Sequence, residues 1–211
     1  MAAAPSTDRV PDDELLSRVA AGDAAALTAL FRRRQPDVFR FAAHMTGSAA
    51  TADDVVQDVF LAVMRDADRY QAGRATVAAW LCGIARNCVR QRLERDRRLT
   101  SVDFDAGRGP EPEVGGPPDP LAGLLRAERI DGLRRAVQAL PVTYREAVVL
   151  CDLQEMSYGD AAGVIGCPVG TVRSRLHRAR AMLAERLSAS RMSRVESVGS
   201  AAEAVPAAEH G

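Results

Sequence analysis

Arg173, Ser174, His177 and Arg178 stand at positions i, i+1, i+4 and i+5, so a helix through them presents all four side chains on one face. Guanidinium groups bond in pairs to the O6 and N7 of guanine or singly to phosphates, and hydroxyl and imidazole groups reach other base edges. The chemistry offered is recognition of duplex DNA in the major groove. Arg175 and Arg180 flank the face, and residues 173 to 191 hold six Arg against one Glu. An arginine-rich face taken alone is more often a solvated surface. Two other groups have reactive chemistry. Asp53, Asp54 and Asp58 could hold a divalent cation, but Asp53 and Asp54 are explained by a helix N-terminus and no further carboxylates recur nearby. Cys82, Cys88, Cys151 and Cys167 contain no C-x-x-C spacing, and no His lies at ligand distance from them in sequence. Buried thiols are therefore expected, with no metal, cofactor or disulfide framework.

The elements around the arginine face give it meaning. Tyr158 to Ile165 reads as a short helix, Gly166 as the turn that ends it, and Pro168 as a first-turn residue opening a second helix. Ala162 is small enough for close approach of the two helices, and Val172, Leu176, Ala179, Leu183 and Leu187 form the buried stripe of the second. This is the grammar of a helix-turn-helix, with the polar face turned outward.

Upstream, residues 1 to 11 are expected to be disordered, and Asp12 and Asp13 start a helix that stops at Gly22. Asp23 caps a second helix reaching Gly47, which Pro36 should kink or break, with Arg32, Arg33 and Arg34 solvated before it. A third helix spans Thr51 to Asp68, with Val55, Val56, Val59, Phe60, Val63 and Met64 on a wide apolar face. After a turn from Arg69 to Thr76, a fourth runs from Val77 to about Arg98. Val77, Trp80, Leu81, Ile84 and Cys88 are expected on its core side, and Gly83, Arg86, Asn87 and Arg90 on the other.

The 28 basic residues, all Arg, balance 28 acidic ones, so net charge announces no partner. Its distribution does: residues 86 to 98 carry six Arg against two acids, a second basic patch. Residues 99 to 120 hold five Pro, four Gly and five acids with no periodicity, the composition of a flexible linker. Residues 121 to 188 resume helical patterning, with Pro141 ending one helix and another expected over Val142 to Asp152, and 189 to 211 read as a disordered tail. No strand is convincing. The expected fold is all-α, two small helical domains at 12–98 and 121–188 joined by the linker. No apolar run approaches the ~18 to 20 residues of a membrane span. A cytoplasmic protein without membrane insertion is expected.

Four segments in this order resemble the extracytoplasmic-function (group 4) sigma factors of the sigma-70 family: DDVVQDVF (Asp53 to Phe60), WLCGIARN (Trp80 to Asn87), LPVTYREA (Leu140 to Ala147) and GCPVGTVRSRLHRAR (Gly166 to Arg180). The resemblance implies that 12–98 is sigma region 2 and 121–188 sigma region 4. By the same resemblance Asp54, Gln57, Asp58 and Phe60 dock on the clamp helices of core RNA polymerase. The segment Arg69 to Thr76, with Arg69, Tyr70 and Arg74, captures a flipped minus-ten base, and Arg86, Asn87 and Arg90 contact that element. Region 4 would read the minus-35 element through Arg173, Ser174, His177 and Arg178, and meet the polymerase flap tip. The implied partners are core polymerase, promoter DNA and an anti-sigma factor wedged between the modules, the free chain being a monomer. The chain departs from many relatives at Met64, Arg65, Cys82 and Gly83, which bears on base preference more than on class. A stand-alone helix-turn-helix regulator is the alternative, but no dimerisation helix or sensor pocket is visible. A hydrolase built on the three Asp has no supporting His/Asp/Glu constellation, so no enzyme is expected.

Overall fold

The computed structural model describes the backbone of residues 10–99 and 120–202 and the side chains of residues 10–95 and 129–188. Among these residues all regular structure is helical.

α1 (Asp12–Ala20) opens with Asp12, Asp13 and Glu14, whose charges complement the helix N-terminus, and it buries Leu15, Leu16 and Val19. Each such burial contributes about 1.5–3 kcal/mol. α2 (Ala24–Thr46) is capped by the Asp23 carboxylate, which accepts from the Ala25 and Ala26 amides at 2.8 and 3.0 Å. It ends at Gly47, whose φ of 75° is the left-handed conformation that glycine adopts without strain. Of the kink or break expected at Pro36 the break does not occur: α2 is continuous through it. Helices on three sides hold it: α2 packs on α1, on α3 (Ala49–Asp66) and on α4 (Val77–Leu99). Arg33 and Arg34 are not free in solvent either. Arg33 donates to the Asp12 carboxylate at 2.7 Å, and Arg34 bridges Asp12 and Asp37, tying the Pro36 region to the start of α1.

Ser48 caps α3 through the Thr51 amide, and a 3-10 turn at Ala67–Arg69 leads to the loop before α4, where Thr76 accepts from the Ala79 amide at 3.2 Å. In the second module, α5 (Pro120–Gln138) and α6 (Val142–Val148) precede α7 (Tyr158–Ile165) and α8 (Val169–Ala202). The single helix expected over Val142 to Asp152 instead widens into a π turn at Val149–Leu153, with Val149 and Leu150 both buried in it. The disordered tail expected from 189 is corrected in part: α8 continues to Ala202. No proline interrupts the chain before Pro206, and the Ala, Arg, Met and Glu of this stretch favour helix. Residues 1–9, 100–119 and 203–211 hold most of the expected terminal and linker segments and lie outside the described residues.

The two modules are not separate bodies. α2 packs against α5, α6 and the π turn, and α4 packs against α7. One hydrophobic cluster runs through both.

Candidate nucleic-acid interface

The helix-turn-helix forms as the residues require. Ser157 accepts from the Asp160 amide to cap α7, and Gly166 at φ 74° ends it. Val172, Leu176 and Ala179 are sealed against the module core. Opposite them Arg173, Ser174, His177 and Arg178 are all exposed, as the spacing predicted. The Arg173 guanidinium lies 5.8 Å from the Tyr158 ring centroid, a cation–π contact that orients it from α7. Ser174 donates to the Thr171 carbonyl at 3.0 Å and keeps its lone pairs outward. Arg180 is held by Asp152 at 2.6 and 3.0 Å, which raises its pKa and takes it out of the free basic surface.

The α4 surface differs from its expected arrangement. Leu81, Cys82, Ala85 and Val89 form the buried stripe. Trp80 and Ile84 are partly buried against the same core, as expected, and also border the cleft beside Gly83 and Asn87, because positions 80, 83, 84 and 87 are helical neighbours. With Arg69, Tyr70 and Arg74 from the preceding loop they line one wall of a cleft of about 860 Å³. Tyr70 packs edge-to-face on Trp80 with ring centroids 5.7 Å apart. Its hydroxyl donates to Asp13 Oδ1 at 2.5 Å and lies 2.9 Å from the Ala75 carbonyl oxygen. Burial and the Asp13 charge push the phenol up to about 12. Arg69, Arg74, Asn87 and Arg90 are exposed. Arg86 is not free, and its expected place on an open face is corrected. Only 13 % of its side chain is accessible, and its Nε and Nη2 meet the two oxygens of Glu146 at 2.8 and 3.3 Å. Glu146, from α6, is 3 % exposed and is the buried charged group of the described core. It draws Arg86 inward because a buried carboxylate without a partner would be costly. The opposite wall of the cleft is α7, with Ser157, Gly159, Asp160, Gly163 and Val164.

On α3, Asp54, Gln57 and Asp58 are exposed, and Arg92 of α4 pairs with Asp58 at 2.8 Å. Phe60, grouped with them in sequence, is 6 % exposed and packs edge-to-face on Phe31 with centroids 4.8 Å apart. It supports the surface from beneath. The apolar residues that do reach the surface are Leu61 and Met64, 62 % and 61 % exposed. Leu61 was not picked out from the sequence, although helical spacing from Asp54, Gln57 and Asp58 leads to it. Met64, expected on the core face, was missed because it borders that face.

Among the described residues no three His, Cys, Asp or Glu side chains gather as a metal site. The four cysteines are free thiols, and burial pushes Cys82 up to about 12. No helix among the described residues is long and apolar enough to cross a membrane.

Known proteins are similar to this chain in sequence and in fold. The family description "Sigma-70 region 2" matches residues 30–99 and "Sigma-70, region 4" matches 130–183. The probable RNA polymerase sigma-C factor of Mycobacterium bovis is 35% identical over 187 residues, 85% of this chain and 95% of that protein. The ECF RNA polymerase sigma-E factor of Escherichia coli K12 is 33% identical over 179 residues, 82% of this chain and 93% of that one. Among solved structures, CnrH in complex with the cytosolic domain of CnrY matches with a TM-score of 0.62 and 28% identity, over 84% of this chain and 97% of that one. The sigma factor RpoE of Bartonella quintana, solved with the anti-sigma factor NepR, matches with a TM-score of 0.61 and 28% identity, over 73% of this chain and 91% of that one. A region 2 module followed by a region 4 helix-turn-helix, shared along nearly the full length of these relatives, makes this chain an RNA polymerase sigma factor of the extracytoplasmic-function group of the sigma-70 family.

Proposed function

We propose that the chain binds core RNA polymerase in the cytoplasm and directs initiation at promoters carrying two elements, acting by binding and not by catalysis. The observation that carries this is the α8 face, where four polar side chains are exposed opposite a sealed apolar stripe. In this reading Arg173, Ser174, His177 and Arg178 read the minus-35 element. Asn87, Arg86 and Arg90 contact the minus-ten element, and Arg69, Tyr70 and Arg74 hold its flipped base beside Trp80. Asp54, Gln57 and Asp58 dock on the clamp helices, with Leu61 and Met64 adding apolar contact and Phe60 stiffening the surface. Other faces of region 4 meet the flap tip. An anti-sigma factor is the inferred regulator of the monomeric chain, supported by the likeness to a sigma factor solved with one.

Run-off transcription with purified core polymerase on a library of genomic fragments tests the reading. Discrete start sites that appear only when the chain is added are expected. Binding of the chain to DNA without core, and no new start sites with it, would favour a stand-alone regulator.

A further inference from the structure

Tyr158 opens α7 between two guanidinium groups of α8. Arg173 lies over its ring, 5.8 Å from the centroid, and Arg180, two helical turns further along the same face, lies within reach of its hydroxyl. Arg180 is in turn held by both oxygens of Asp152, at 2.6 and 3.0 Å. The order across the surface is therefore Asp152, Arg180, Tyr158, Arg173, drawn from the π turn, α7 and α8.

The backbone beneath this row is fixed. Asp152 belongs to the π turn, which is closed by bonds from the Gln154 amide to the Val149 carbonyl and from the Met156 amide to the Leu150 carbonyl, both 3.0 Å. Tyr158 is the first residue of α7 and follows the Ser157 cap directly. Yet Tyr158 is 38 % exposed and the Arg180 side chain 57 % accessible, so core packing does not explain why the four groups line up. Electrostatics does. A ring face attracts one cation, and a second guanidinium without a counter-charge at the ring's edge would repel the first. Asp152 cancels that second charge. The same pairing removes from the surface a cation that could otherwise sit on any phosphate, a contact that adds affinity but carries no sequence information.

We infer that Tyr158 and Asp152 set the specificity of the α8 face without reading a base themselves: Tyr158 presents Arg173 to a base edge of the minus-35 element, and Asp152 withholds Arg180 from DNA phosphate. The inference rests on the role proposed for Arg173. Both are positioning residues. A guanidinium held in place before binding loses less side-chain freedom when it meets its base, and a neutralised Arg180 leaves less of the affinity to sequence-independent contact.

The test uses the full chain in complex with core polymerase, titrated on a promoter fragment obtained from the run-off screen and on the same fragment with its upstream element scrambled. A cation–π contact at an exposed site corresponds to about two- to fivefold in binding, so Tyr158→Leu should weaken binding to the native fragment by that factor and leave the scrambled one unchanged. Tyr158→Phe keeps the ring and should recover most of the loss. Asp152→Asn should bind the scrambled fragment more tightly than wild type, with a salt slope steeper by about one, and adding Arg180→Gln should cancel both changes. No loss for Tyr158→Leu, or equal losses for it and Tyr158→Phe, would overturn the positioning role; in the second case the hydroxyl would be the group that matters. Unchanged binding and salt slope for Asp152→Asn on the scrambled fragment would overturn the withholding role. That arm stands even if Tyr158→Leu fails to fold, because neither Asp152 nor Arg180 lies in the core. Adding Arg173→Ala to Tyr158→Leu separates the inference from the reading beneath it. Losses on the native fragment that do not add support both. Losses that simply add sink the inference alone, whereas equal losses for Arg173→Ala on the two fragments contradict the role given to Arg173.

Discussion

Three basic side chains acquire different roles from their immediate partners. Arg173 is oriented by Tyr158 and otherwise free, Arg180 is neutralised by Asp152, and Arg86 is enclosed with Glu146. The first can be truncated without opening a core, while Leu176, directly beneath the same face, is 2 % exposed. Arg173→Ala should accordingly change unfolding free energy by no more than about 0.5 kcal/mol. Leu176→Ala should cost about 2–5 kcal/mol through the cavity it leaves. Chemical denaturation of the two variants checks the contrast. Equal destabilisation would mean that Arg173 is part of the packing. The recognition face was legible in sequence at this scale because polar and apolar positions on α8 follow one helical period. The Arg86–Glu146 pair was not, since 60 positions separate the partners and no local pattern links them.

Helix boundaries in this chain follow from its caps. Asp23 starts a helix and Gly47 and Gly166 end helices where the sequence reading put them, whereas α3 is capped by Ser48, ahead of the expected start at Thr51, which leaves Asp53 and Asp54 beyond its first turn. What spacing misjudged was decided by packing between elements. Pro36 leaves α2 unbroken because three neighbouring helices fix it. The α2–α5 contact also has a pH dependence. His44 on α2 has its pKa lowered from 6.5, first by burial and then by the charges of Arg134 and Arg40. The folded chain thus holds this imidazole neutral where the unfolded chain would take up a proton. Its contribution is present in full above about pH 6.5 and is lost as pH falls through the lowered folded value. Thermal unfolding of His44→Gln should therefore shift less between pH 7.5 and pH 5.5 than that of wild type. An identical shift would place the acid sensitivity elsewhere.

For the molecule as a whole, two helical modules were readable from composition, because a Pro- and Gly-rich acidic stretch separates two stretches of helical periodicity. Their mutual packing was not readable, since it depends on single polar side chains such as Gln154 reaching across. The join between modules also bears on promoter use. It turns the second DNA contact into an intramolecular event, so cutting the chain near Gly115 should abolish promoter-dependent transcription even with both halves at micromolar concentration. Full activity from mixed halves would show the covalent join to be dispensable.

Division of labour between the α8 and α4 faces is the central claim, and it is tested by Arg173→Ala and Asn87→Ala with core polymerase on a matrix of promoters mutated in the upstream or downstream element, at fixed salt. A base-edge contact is worth about 1–3 kcal/mol, so Arg173→Ala should weaken promoter binding roughly 5- to 150-fold. That loss should vanish on templates already mutated upstream, while downstream mutations still add their own penalty. Asn87→Ala should show the mirror pattern, with strand opening affected more than initial binding. A uniform loss for Arg173→Ala on every template would contradict the claim, and would make this arginine a contact to phosphate or to polymerase.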